Sequence, residues 1–494
     1  MVRTLLGTAL AALVLGGCAV GPDYRPDPPA SVTLQGAQNA SFSAESPVGT
    51  WWSQFDDPVL EQLVRDALFA NHDLRIAVSR VKQARAVFVE RRLDQAPHIA
   101  AQGSFDRREQ QQVIAGNQRF LTEQTTLGLD AAWELDLFGR QRRASEAARA
   151  DLDAEQANLQ DVQVTVAAEV ARNYFQLRGT QKQLAVSRRT LSNLHDTQKL
   201  TQTRWDLGAG SELDVQSSLA RLKAIEADIP LLETAEAQYR HRLAVLLGQQ
   251  PNALDATLVA RSMPAFVRPL PLGDTAGLLR QRPDVRRAER QLAAATAQVG
   301  VATADLFPRI SVSGFVGFLS GDAARLTDGN AKAWSITPSI SWAAFDFGTV
   351  RARLRASKAQ AEGALAQYQQ AVLLALEDTE NALIGYGRQQ ARLAIVVEQA
   401  NAARRAEQLA QIRYREGSQD FLTLLDAQRT QLAADDALAQ AEAAVNVGVV
   451  GVYKALGGWK QGQAPTAVPL AMGAVEASGQ MASGTSFERG QTAR

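Results

Sequence analysis

The chain has little with which to do covalent chemistry. One cysteine, Cys18, in 494 residues excludes an intrachain disulfide. Four histidines, His72, His98, His195 and His241, are scattered with no i, i+4 pairing of the kind a metal centre uses. Four methionines, Met1, Met263, Met472 and Met481, form no cluster, so a copper relay gains no support. There is no Walker loop and no G-x-S-x-G elbow. No catalytic set emerges, and the expectation is a protein that is not an enzyme and needs no cofactor. Formal charge is zero and no basic stripe carries interleaved aromatics, which argues against nucleic acid as a partner.

Proline and glycine are missing where they would break a helix. Arg140 to Arg204 holds no proline and only one glycine, Gly179. Leu152, Leu159 and Val166 are spaced by seven, as are Leu177, Leu184 and Leu191, with a step of eleven between the sets. Such mixed steps reduce the supercoil that a pure heptad imposes. At about 1.5 Å per residue the helix would run roughly 100 Å, far beyond a globular helix. It breaks at Gly208, and a second such pattern breaks 209 residues later at Gly417. Ser211 and Asp420 follow these glycines as N-caps, and Ser211-x-x-Asp214 resembles a capping box.

Residues 1–17 have the layout of a cleaved export signal: Arg3, an apolar run from Thr4 to Leu15, then Gly16 and Gly17. The run is too short to span a bilayer. Leu15-Gly16-Gly17-Cys18 resembles the bacterial lipoprotein box, in which the cysteine receives a diacylglycerol and a fatty acyl group. Ala19 after it points by the same resemblance to outer-membrane sorting. Residues 18–57 then form a lipidated N-terminus and linker, with Trp51, Trp52 and Phe55 as a packing patch. A helical pattern runs from Pro58 to Leu93.

Two alternating stretches follow. Leu127, Leu129, Ala131, Trp133, Leu135 and Leu137 share one face, opposite Thr126, Gly128, Asp130, Glu134 and Asp136. That period of two predicts a strand with one apolar and one polar face. Ile99, Ala101, Gly103 and Phe105 alternate more weakly before it, joined by a polar loop at Glu109–Glu123. The whole pattern then recurs at an offset of 209 to 211 residues: Asp73 with Asp284, Pro97 with Pro308, Gly139 with Gly348. Ile310 to Phe318 and Trp334 to Ala344 supply the second strand pair, the latter with Ser335 and Ser339 on its polar side. Pro338 on that strand predicts a bulge, and Pro230 an interruption of the helix from Leu213 to Leu247. The domains are a first repeat at 58–248, a linker at 249–274, a second repeat at 275–459 and a disordered tail at 460–494.

Four strands cannot close a barrel, and an open edge cannot face lipid. The chain must pool strands with copies of itself. Two copies would give eight strands and a largely filled interior, whereas three give twelve and a channel. Asp130, Glu134, Ser335 and Ser339 would line it. In each repeat two shorter helices placed end to end match one long helix, so three chains supply twelve staves. The expected fold is an α+β membrane protein, a duplicated β-hairpin plus long α-helical hairpin. Its homotrimer would join a 12-stranded β-barrel to a 12-helix periplasmic α-barrel.

Several motifs carry a family resemblance. They are Trp133-Glu134-Leu135-Asp136-Leu137-Phe138-Gly139, Arg282-Pro283-Asp284-Val285-Arg286-Arg287-Ala288-Glu289, Phe307-Pro308-Arg309-Ile310 and Leu422-Thr423-Leu424-Leu425-Asp426-Ala427-Gln428. Together they resemble the TolC-like outer-membrane factors, in their lipoprotein (OprM/NodT-like) branch. The resemblance implies a passive trimeric exit duct in the outer membrane, engaged by a periplasmic adaptor and an inner-membrane pump of the RND type. The cargo would be drugs or other small toxic molecules. Leu422 and Asp426 resemble the family's periplasmic constriction, where close carboxylates repel and favour cations or a shared proton. Tyr414, Arg413 and Arg415 resemble the ties between the inner hairpin and its neighbours. Gln419 stands where some relatives carry a basic residue. The first tip has Ser217 in place of Asp426, so the pair Leu422 and Asp426 is assigned to the second tip alone. A protein-secretion exit and a pore-free coiled-coil scaffold are the rival readings.

Overall fold

The computed structural model describes residues 19–25, 34–38, 41–43, 45, 49–112, 118–263, 266, 268–273 and 281–458. The expected signal peptide, Cys18 and the tail lie outside the described residues. In chain order the elements are β1 (Phe42–Ser43), α1 (Pro58–Ala70), α2 (His72–Leu93), β2 (His98–Gln112), β3 (Gln118–Leu135), α3 (Arg140–Asp206) and α4 (Glu212–Leu246). Then come β4 (Leu270–Pro271), α5 (Pro283–Ala304), β5 (Arg309–Ser320), β6 (Lys332–Ser341), α6 (Phe347–Arg415) and α7 (Phe421–Ala455). The long helices hold 67 and 69 residues, and α4 and α7 hold 35 each. Among the described residues no helix is long and apolar enough to cross a membrane.

The sheet is antiparallel in the order β2-β3-β5-β6, so the outer edges of β2 and β6 have no strand partner among the described residues. Register brings the two repeats into one surface: Asp130 lies opposite Phe315 and Phe315 opposite Ser335, while Glu134 lies opposite Ser311 and Ser311 opposite Ser339. The predicted polar positions therefore share one face. The other face carries Leu127, Leu129, Val316, Trp334, Ile336 and Ile340, all exposed, which leaves a broad apolar band uncovered. Trp133 and Trp342, 209 residues apart, each donate an indole N–H at 3.0 Å, to the Gln95 and Leu306 carbonyls just before the strands.

Four expectations need correction. The loop predicted at Glu109–Glu123 is largely strand, because β2 and β3 pair as far as Gln112 and Gln118. Backbone pairing needs no apolar side chains once a hairpin stands clear of lipid. Pro338 causes no bulge; it pairs with Val312 in unbroken register on an edge strand, where proline is tolerated. Pro230 does not interrupt α4, which continues through it. It sits exposed, on a face where the lost backbone bond can be replaced by water. The helix predicted from Pro58 to Leu93 is two, split at Asn71.

That split has a purpose. The Asn71 amide oxygen accepts from the N–H groups of Asp73 and Leu74, capping α2, while its Nδ2 donates to the Leu246 carbonyl at 2.9 Å. The end of α4 thus abuts the start of α2, and the pair forms one stave. At the equivalent place in the second repeat Arg282 Nη1 donates to the Ala455 carbonyl at 2.7 Å, joining the end of α7 to the start of α5. Gly457, at φ +84°, fits against Arg282 so closely that an added Cβ would come within 3.2 Å of its Cα. The main hydrophobic core surrounds both joints. Trp51, predicted as packing, stacks on Tyr453 at 5.3 Å, and Phe55 meets Phe175 at 4.6 Å.

Candidate functional site

The two tips are built alike. Gly208 and Gly417 have φ of +72° and +74°, the left-handed turn that glycine adopts without steric cost. Ala209 N–H returns to the Arg204 carbonyl at 2.8 Å, and Ser418 N–H to the Arg413 carbonyl at 2.9 Å. Ser211 Oγ then accepts from Asp214 N–H at 3.2 Å, and Asp420 Oδ1 from Thr423 N–H at 2.8 Å. The hydrogen bonds from Thr423 hold the Asp420 carboxyl below the usual carboxylate range. Both predicted N-caps are in place.

The second tip has its own small core. Tyr414 is buried with Ala410, Phe421 and Leu424, and Leu200 of α3 packs on them. The Tyr414 ring lies 5.6 Å from Phe421, and the Arg204 guanidinium sits 4.5 Å over the same ring. Arg204 was not among the predicted site residues. The signal was available, because Arg204 is the counterpart of Arg413 at the 209-residue offset. Arg413 and Arg415 are exposed, and among the described residues their side chains make no hydrogen bond or ion pair, although the Arg415 charge is felt by the Glu407 carboxyl.

Leu422 and Asp426 stand one turn apart on the exposed side of α7. Leu422 is 56% exposed, and the Asp426 carboxylate holds only Arg429, at 3.0 Å, among the described residues. Leu213, the counterpart of Leu422, is 65% exposed at the first tip. The assignment of both residues to one tip is therefore too broad. Leucine projects from both tips, and the carboxylate alone distinguishes the second. Close to it, burial and the like charge of Arg429 together hold the Arg221 guanidinium of α4 below its ordinary value.

From tip to mid-length, α7 and the end of α6 are fastened along α3. Beyond Arg204 and Tyr414 the rungs are Gln428 Nε2 to Thr197 Oγ1 at 3.2 Å and Arg189 to Asp435 at 3.3 Å. Gln183 donates to Asp436 at 2.5 Å, and Lys182 pairs with Glu442. Asp435 is buried and also takes Arg404 at 2.6 Å. Any outward swing of the second hairpin has to undo this ladder from the tip end.

On the polar face of the sheet, Glu134 is held by Arg140 through Nε at 2.9 Å and Nη2 at 2.6 Å. Ser339 shares a hydrogen bond with Ser311 at 2.8 Å. The side chains of Asp130 and Ser335 have no hydrogen bond or ion pair among the described residues, and both edge a shallow concavity.

The family model for outer membrane efflux proteins matches residues 63–249 and 277–458. The chain belongs to that family. A probable efflux pump outer membrane protein of Pseudomonas putida, TtgC, is 32% identical over 475 residues, covering 93% of this chain and 96% of its own. Nodulation protein T of Rhizobium leguminosarum is 31% identical over 435 residues, covering 88% and 93%. The solved outer-membrane channel OprN superposes with a TM-score of 0.87 at 48% identity, over 91% of this chain and 100% of that one. The open-state outer membrane channel MtrE of Neisseria gonorrhoeae gives 0.78 at 29% identity, over 91% and 100%. Members of this efflux family reside in the outer membrane, and this chain is one of them. The pore-free scaffold reading is set aside, since its sheet is that of an outer-membrane channel.

Proposed function

We propose that three copies of the chain form a passive exit duct of a tripartite efflux system, closed at rest by the periplasmic tips. The single observation that carries the reading is the sheet. It has four strands, one wholly apolar band, one polar face and two unpaired edges. Lipid does not tolerate open edges, so the sheet closes only with copies of itself, and three copies leave a lumen lined by Asp130, Glu134, Ser335 and Ser339. Leu213 and Leu422 narrow the far end, and the three Asp426 carboxylates form its charged ring. Arg413 and Arg415, whose side chains have no hydrogen bond or ion pair among the described residues, pair with acceptors on the neighbouring protomer.

A periplasmic adaptor and an inner-membrane pump of the RND type supply the energy, and the cargo is drugs, solvents or similar small toxic molecules. Cys18 carries the lipid. The residues beside it support this anchor, because Val20 N–H donates to the Phe138 carbonyl at 3.1 Å and Arg143 pairs with Asp23 at 2.5 Å. That clamps the chain two and five residues after Cys18 at the base of the sheet, where the inner surface of the membrane would lie. The test is resting conductance in a planar bilayer. Asp426→Ala should raise it, and an unchanged conductance with intact trimers would sink the gate assignment.

A further inference from the structure

The polar face of the sheet is interrupted by one aromatic ring at mid-height. Phe315 faces the same side as its register partners Asp130 and Ser335. Its ring is laid over a pair of glycines that lie opposite one another, Gly128 and Gly317. A Cβ added at Gly128 would come within 2.6 Å of the ring, and one at Gly317 within 2.9 Å. Two strands thus give up their side chains to seat one phenyl group, which keeps its outer face open. Phe315, Asp130, Leu319 and Ser335 border a concavity of about 450 Å³.

The charge around that concavity does not cancel. Arg108 is paired with Asp106, through Nε at 2.6 Å and Nη2 at 2.7 Å. The Asp130 carboxylate, the remaining charged group at its border, has neither ion pair nor hydrogen bond among the described residues. An aromatic face beside an uncompensated carboxylate is the chemistry that receives an organic cation. The ring quadrupole and the carboxylate attract the same positive charge, and the ring and Leu319 cover its apolar body.

We propose that Phe315 and Asp130 form a transit site for aromatic or amphiphilic organic cations inside the channel, one per protomer. The inference rests on the reading of the polar face as the channel lining. Its occupant is chosen by charge: an anion of the same size meets the Asp130 carboxylate, while the cation at the border, Arg108, is already paired with Asp106.

The test uses the full-length trimer in a planar bilayer, in the Asp426→Ala background that opens the tips, with methyltriphenylphosphonium as the probe and benzenesulfonate as the anionic control. The cation should block current in a concentration-dependent way and the anion should not. Asp130→Asn and Phe315→Leu should each raise the half-blocking concentration about two- to fivefold. Phe315→Leu keeps bulk over the two glycines, and Phe315→Tyr, which keeps the ring, should retain the block. Unchanged block in both Asp130→Asn and Phe315→Leu overturns the site while leaving the channel. Equal shifts for cation and anion also overturn it, since they report pore dimensions. Trimers that carry no current in any form overturn the channel reading and the site together.

Discussion

Arg282→Ala removes more from this fold than any surface arginine would. The side chain is buried, and its guanidinium donates to the Ala455 carbonyl at 2.7 Å, the Ala375 carbonyl at 3.3 Å and both oxygens of Asp284. Asp378 contributes a further contact at 3.4 Å but is mostly exposed, so that arm adds little. Removing one partner of a buried pair costs about 3–5 kcal/mol. Because Asp284 keeps some solvent access, about 3 kcal/mol at neutral pH is expected. Burial pushes the Asp284 carboxyl up, but its bonds to Arg282 outweigh this and hold it below the usual range. A carboxyl depressed on folding contributes stability above its unfolded pKa and loses it as pH falls through the folded one. In Arg282→Ala the burial remains and only backbone N–H groups, that of Val285 at 2.9 Å among them, still oppose it, so the variant is penalised at neutral pH and relieved when Asp284 protonates. The gap between wild type and variant should therefore narrow on acidification. Helical circular dichroism against urea in detergent, at pH 7.5 and pH 4.5, reads this directly. A penalty below about 1 kcal/mol at pH 7.5, or one of equal size at both pH values, would refute the reasoning. Asn71→Ala, at the equivalent joint, should show a loss with no such pH dependence.

Arg204→Ala loses the cation–π contact of a half-buried guanidinium over Tyr414, worth at least about 0.5–1 kcal/mol. Tryptic cleavage beside Arg413 and Arg415 should quicken about two- to fivefold as the tip loosens, and an unchanged rate would mean that Arg204 does not hold it. Asp161 tests the opposite sign of linkage: burial first, then the nearby Asp284 charge, pushes its carboxyl up. A carboxyl raised on folding is a burden above its folded pKa and none below its unfolded one. Asp161→Asn should stabilise the protein at pH 8 and lose that advantage in acid, as urea midpoints would show.

Much of this architecture was legible because duplication repeats each signal. The glycines at 208 and 417, the caps at 211 and 420 and the period-two strands each appear twice at one offset, and a pattern seen twice is hard to obtain by accident. Proline misled, since local rules count the lost bond at Pro230 and Pro338 without knowing that one is solvent-exposed and the other lies on an edge. The joints at Asn71 and Arg282 were hidden for a different reason. They exist only between segments some 175 residues apart, and different side chains, an amide and a guanidinium, do the same work. Arg204 was overlooked because its partner sits on the other hairpin, 210 residues away.

The two joints have a mechanical consequence. Each spliced stave lies beside an unbroken helix, α3 or α6, as offset seams do in laminated timber. Such a laminate carries tension along its continuous members and yields in bending where the seams lie. Both seams fall at the level of Trp51, Phe175 and Tyr453, whose packing wraps them like a ferrule. A twist applied at the tips is therefore absorbed at the collar, and the strands above it keep their register. Spin labels placed above and below the collar would show distances changing only on the tip side.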